Sequence, residues 1–167
     1  QAHTEGSSLL GMQIGFNARN AVIACDMAAR GLVAPHAVLE GPFGYYALFE
    51  GAHDLPAVLS QLGKVWRVTE IAHKPFPSGR ATHGVVDGCL TLMRAQGFVA
   101  QDIERVRARV PPLVHRLVGR PVTAAMNPNT ARLCASYVAA CALLRGDVTL
   151  EDFRTPALAQ ADTLALA

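Results

Sequence analysis

Aromatic side chains are scarce in this sequence: 6% of 167 residues, with a single tryptophan. Charge is scarce too, at 17%, and nearly balanced, with 15 Lys and Arg against 13 Asp and Glu. A net charge of +2 is too small for a nucleic-acid footprint, and so few aromatics leave little for base stacking. Long apolar runs are missing as well. Mean hydropathy is +0.24, yet no stretch reaches the ~18 uninterrupted apolar residues that a membrane helix needs. The longest candidate, "ASYVAACALL", lies between Arg132 and Arg145 and reads as a helix buried against protein. Neither nucleic acid nor membrane is an expected partner. The four cysteines (Cys25, Cys89, Cys134 and Cys141) have no CxxC spacing and sit in apolar, helix-like segments. Buried free thiols in a reducing, cytoplasmic setting are the expectation.

Familiar catalytic signatures are also lacking. There is no GxGxxG loop after a strand, no GxSxG elbow and no HExxH. His73, His83 and His115 have no acidic ligand at metal-site spacing, so no metal is expected. The opening "QAHTEGSS" carries neither an initiator Met nor a signal-peptide core, and reads as the interior of a longer polypeptide.

What is present is apolar content, 51%, in a length that suits one domain or parts of two. Residues 7 to 31 predict a long helix rich in Ala and Gly, capped by Ser7 or Ser8 and ended by Gly31. Asn17 and Asn20 share one of its faces, and with Arg19 they can present amide and guanidinium donors to a cleft. "EGPFGYY" predicts a tight turn into a short aromatic helix. "KVWRVTEIA" shows loose strand-like alternation, and "DIERVRARV" a clearer one, its arginines on the solvent face of a half-buried strand. Between them, Thr82 is placed to cap a helix with apolar positions at 85, 86, 89, 90 and 93, closed by Gly97. "NPNTARLCASYVAACALLRG" predicts a further helix with Asn127 as cap, Pro128 in its first turn and Gly146 at its end. "TLEDFRTPAL" predicts a shorter one that Pro156 breaks or restarts. The fold class read from this order is α+β.

The segment that invites chemistry is "IAHKPFPSGRATHG", residues 71 to 84. Its prolines and glycines disfavour regular structure while Lys74, Arg80 and His83 crowd together with Ser78 and Thr82. A carboxylate substrate needs a guanidinium or ammonium to fix it. Proton abstraction beside a carboxylate needs a base such as His or a desolvated Lys. The N–H groups of a helix starting at Thr82 would add a further anion site.

"HKPFPSGRATHGVVDGCLTL" resembles the lysine–proline–aromatic–proline and Thr-His signature of the MmgE/PrpD family. That family includes 2-methylcitrate dehydratases, cis-aconitate decarboxylases and iminodisuccinate epimerases. The Gly/Ala-rich helix, the "LEG" turn and the helix before "GDV" are similar in order. The resemblance implies part of an all-helical domain over residues 1–70, followed by part of a mixed α/β lid over 71–167. It implies a cofactor-independent homodimer acting on a small di- or tricarboxylate, most simply as a 2-methylcitrate dehydratase-like lyase. Lys74 matches the family's active-site lysine, Thr82 and His83 its Thr-His pair, and Arg19 a position where many members carry a basic residue. The expected catalytic residues are Lys74 and His83, with Arg19, Arg80, Ser78, Thr82 and Asn17 binding substrate. Gly79 stands where some decarboxylase members carry histidine, which weighs against that reaction. Family members are more than twice as long, so a catalytically inert or incomplete fragment that folds and dimerises is the alternative, as is an epimerase or decarboxylase.

Overall fold

The structure is a computed structural model describing residues 7–51 and 54–167. It divides into two units, one comprising Lys74–Ala167 with the chain up to Ile14, the other Gly15–His73. Among the described residues every regular element is helical, so the α+β expectation and its mixed lid are overturned.

Helix α1 (Leu9–Ala29) matches its predicted span. Within Gly15–His73, the "EGPFGYY" turn is closed by Tyr45 N–H to Val38 O (2.9 Å) and Tyr46 N–H to Leu39 O (3.1 Å). It leads into one π-helical turn, Tyr46–Glu50, where Tyr45 stacks against Phe49 and donates to Glu50 at 3.0 Å. Asp54 caps the short α2 (Leu55–Leu59) by accepting from Ala57 N–H at 3.0 Å. No described side chain of this unit is buried. Cys25 is accordingly exposed, against the expectation of four buried thiols.

The "KVWRVTEIA" strand is not formed. Arg67–Glu70 is a 3₁₀ turn instead, closed by the Thr69 N–H and hydroxyl bonds to Trp66 O, with the exposed Arg67–Glu70 ion pair at 2.9 Å. Opposite charges three apart favour a helical turn over an extended chain.

Residues 74–167 hold the core. Helix α3 (His83–Gln96) contributes Val86, Cys89 and Leu90, and Gly97 ends it in the left-handed region at φ 70°. Helix α4 (Pro112–Val118) comes next, then α5 (Pro128–Arg132), α6 (Ala135–Arg145), α7 (Thr155–Leu158) and α8 (Ala161–Leu166). Helix α6 is the centre: Tyr137 through Leu143 are all buried, as its unbroken apolar run predicts. Its alanines at 139, 140 and 142 let α3 and α8 approach closely. Val86, Leu90, Tyr137, Val138, Cys141, Phe153 and Leu158 form one cluster, with Phe76 and Leu164 packed on it.

The predicted helix over "NPNTARLCASYVAACALLRG" is two helices. Asn127 caps α5 as expected, accepting from Thr130 N–H at 2.9 Å, but Cys134 is extended (φ −109°, ψ 105°) and breaks the run. The "DIERVRARV" strand is likewise absent. Residues 104–110 make no backbone hydrogen bond to another described segment, and a strand exists only through its neighbour. Arg105, Arg107 and Arg109 are exposed, but so are Val106 and Ala108 between them, so the expected buried face is missing as well.

A buried polar knot ties α6 to the turns at the C-terminal end of the chain. Asp152, 4% exposed, pairs with Arg145 at 3.3 Å and accepts from Thr149 N–H at 2.7 Å. Tyr137 donates to the Asp152 carbonyl at 2.6 Å, and Arg145 also reaches Thr163 at 2.9 Å and Gln160. Burial pushes the Cys141 thiol, inside this knot, up to about 11, and pushes the Tyr137 phenol upward too.

Candidate functional site

The loop 74–83 is built around two hydroxyls that water does not reach. Thr82 is fully buried and Ser78 is 5% exposed. Thr82 Oγ1 donates to the Gly79 carbonyl at 2.8 Å, and the two hydroxyl oxygens lie 2.7 Å apart. Each hydroxyl has one proton, so Thr82's is spent on Gly79 and Ser78 must be the donor in the pair. The Thr82 N–H also donates to the Gly79 carbonyl, at 2.8 Å. Gly79 N–H in turn donates to the Arg132 carbonyl at 2.8 Å, where α5 ends. Helix ends leave such carbonyls without an intrahelical partner, so the loop and the helix satisfy each other.

Gly79 has an ordinary negative φ (−62°), so its lack of a side chain serves space rather than backbone freedom. A Cβ there would stand 2.7 Å from Leu133 Cδ2 and 3.4 Å from the Arg132 carbonyl. A side chain at this position would have to displace the terminal methyl of Leu133 or the loop itself.

Two exposed cations, Lys74 and Arg80, share the loop with the buried hydroxyls. Lys74 Nζ has one contact, the Ser78 carbonyl at 3.5 Å. Among the described residues neither Lys74 nor Arg80 has a carboxylate partner. Arg80 lines a groove of about 590 Å³ with Arg107, Arg109 and the apolar Val85 and Leu92. His83 opens α3 and meets Phe76 edge-on, with ring centroids 5.5 Å apart. Its Nε2 is buried with no hydrogen-bond partner.

Five of the expected residues thus fall on one pinned loop: Lys74, Ser78, Arg80, Thr82 and His83. Two serve differently from the reading of the sequence. Thr82 makes no side-chain cap to α3, and Ser78 is buried against it rather than open to a ligand. The N–H of Thr82 and that of His83, which donates to Arg80 O, are both used within the loop, so the helix start offers neither to an anion. Asn17 and Arg19 belong to the other unit, on α1. There Arg19 donates to Asn20 at 3.2 Å and lies over the Phe16 ring at 5.4 Å. No sequence signal announces the Gly79–Arg132 clip, because it joins residues far apart in the chain. No group of His, Cys, Asp and Glu among the described residues could hold a metal ion, and no helix there is long and apolar enough to cross a membrane.

The loop is fastened to the helical core by its backbone and buried hydroxyls, and it carries two exposed cations. Residues 76–167 match the MmgE/PrpD C-terminal domain, and the chain belongs to the MmgE/PrpD family, which includes dehydratases and isomerases. Lys74 lies just before the matched span. No curated protein matches the sequence.

Proposed function

We propose that this chain contributes the lysine-bearing loop of an MmgE/PrpD-type lyase or isomerase acting on a small di- or tricarboxylate, most simply by dehydration of a 2-methylcitrate-like acid. The observation that carries the reading is the pairing of buried anchors with unpaired cations: Ser78 and Thr82 are fixed inside while Lys74 and Arg80 face solvent without a carboxylate. Abstracting a proton beside a carboxylate builds a second negative charge on that carboxylate. An ammonium held where the charge develops lowers the barrier more than one that must reorganise to reach it. Lys74 takes that role, and Arg80, on the same loop, clamps a remaining carboxylate. His83, with its free Nε2, moves a proton at the same end of α3. The protein works as a homodimer without a cofactor.

The test is hydrogen exchange between substrate and deuterated water, with methylcitrate, cis-aconitate and related acids. Exchange at the carbon beside a carboxylate, lost in Lys74→Ala, supports the reading. A folded protein that exchanges no acid overturns it.

A further inference from the structure

The Ser78 carbonyl and the Gly79 N–H belong to one peptide group. This peptide is trans, as are the others among the described residues, so the two point in opposite directions from one plane. The N–H end is held by the Arg132 carbonyl at 2.8 Å, and the carbonyl end faces the Lys74 ammonium at 3.5 Å. On either side the plane is braced: Ser78 by its buried bond to Thr82, Gly79 by the two bonds its own carbonyl accepts from Thr82. A peptide pinned at its N–H has no freedom to swing its carbonyl. Hydrogen bonds in such a chain also polarise one another, which strengthens the pull on the ammonium.

We infer that the Ser78–Gly79 peptide group is the positioning element for Lys74, aiming its ammonium from the end of α5, with Gly79 packed so closely that a side chain there must displace either Leu133 or the loop. Gly79 and Ser78 are therefore positioning residues and touch no substrate themselves. The inference rests on the role given to Lys74 above, and it predicts how that role is lost without any change to the lysine. A Cβ at position 79 pushes the loop off α5, turns the peptide and releases the ammonium.

The chain has two lysines, Lys64 and Lys74, which makes the ammonium protons directly observable. In ¹⁵N-labelled protein at low temperature, the Lys74 ammonium is expected to exchange its protons with water more slowly than that of Lys64, by at most about fivefold, the factor a full hydrogen bond is worth, because its contact is long at 3.5 Å. Gly79→Ala removes the difference with helicity unchanged. Adding Leu133→Ala to Gly79→Ala makes room for the new methyl and restores it. If Gly79→Ala fails to fold, Ser78→Ala, which loosens the same peptide without a steric clash, shows the partial loss. Equal exchange at Lys64 and Lys74 in the unaltered protein overturns the inference, as does a Gly79→Ala protein in which Lys74 is still slow. Where substrate turnover can be followed, Gly79→Ala lowers kcat with KM little changed, because the charge is misplaced rather than removed. A slow Lys74 ammonium in a protein that turns over no acid leaves the positioning intact and refutes the proposed activity; turnover with a fast Lys74 ammonium does the reverse.

Discussion

Replacing Thr82 by valine keeps the shape of a fully buried side chain and deletes only its hydroxyl. Two bonds go with it: the donation to Gly79 O at 2.8 Å and the acceptance from Ser78 Oγ at 2.7 Å. The Gly79 carbonyl keeps the Thr82 N–H, so its loss is small. Ser78 has no such reserve. Its hydroxyl, 5% exposed, is left buried as an unsatisfied donor, which costs about 2 kcal/mol. Ser78→Ala is the milder change, because Thr82 still donates to Gly79; about 1 kcal/mol is expected. The double variant removes both members and leaves no orphan, so it should be more stable than Thr82→Val alone. Urea denaturation followed by circular dichroism at 222 nm on the four proteins gives the cycle directly. Additive losses, with the double variant the least stable of the set, would refute the donor assignment and with it the picture of the loop as pinned from within.

Other outcomes are expected of the knot beside α6 and of the thiols. Arg145→Ala leaves Asp152 buried without its cation; because Arg145 is 30% exposed, the cost is about 2 kcal/mol rather than the 3–5 of a fully buried pair, read as a lower urea midpoint. Iodoacetamide under native conditions should label Cys25 first and leave Cys89, Cys134 and Cys141 intact until the protein unfolds, as peptide mass spectrometry would report. Cys141 is raised from 9.0 to about 11 in the folded protein, so the unfolded chain gives up this proton first. Its contribution is therefore fully present below pH 9 and lost as pH climbs through 11, and Tyr137, also raised, acts in the same direction. Stability that is flat or rising across that interval in chemical denaturation would contradict both assignments.

The features legible in the sequence are those written in a few adjacent residues. Asn127 with Pro128 marks the start of α5, and Gly97 and Gly146 mark the ends of α3 and α6 at φ 70° and 74°. Each is a local steric or capping rule that needs no knowledge of the rest of the chain. The break at Cys134 was not legible, because distant groups stabilise it: Gly79 N–H takes the Arg132 carbonyl and Cys134 Sγ donates to Arg120 O at 3.3 Å. The failed strands teach the converse. Alternation in "RVRAR" suggests one buried face, yet Val106 and Ala108 are exposed with the arginines, because a period of two says nothing about whether a neighbouring strand exists to pair with. The strand propensity of Val65, Trp66 and Val68 likewise finds no partner strand, and the segment closes into a turn through the Thr69 N–H and hydroxyl bonds to Trp66 O, with the exposed Arg67–Glu70 pair adding little.

The candidate loop stood out because prolines and glycines punctuate an otherwise apolar chain, and its cations are plain in the letters. Its construction was hidden. Ser78 and Thr82 look like polar surface residues, and only the fold shows them buried and bonded to each other. Gly79 stands where a histidine was looked for; the structure shows it packed closely against the Leu133 methyl.

The central claim, that Lys74 stabilises charge formed beside a substrate carboxylate, is tested most directly by α-proton exchange into deuterated water with methylcitrate as substrate. Exchange by the unaltered protein that falls at least about a hundredfold in Lys74→Ala, with Lys64→Ala unaffected, is the predicted result. Exchange that survives in Lys74→Ala, or none in the folded, unaltered protein, would contradict it.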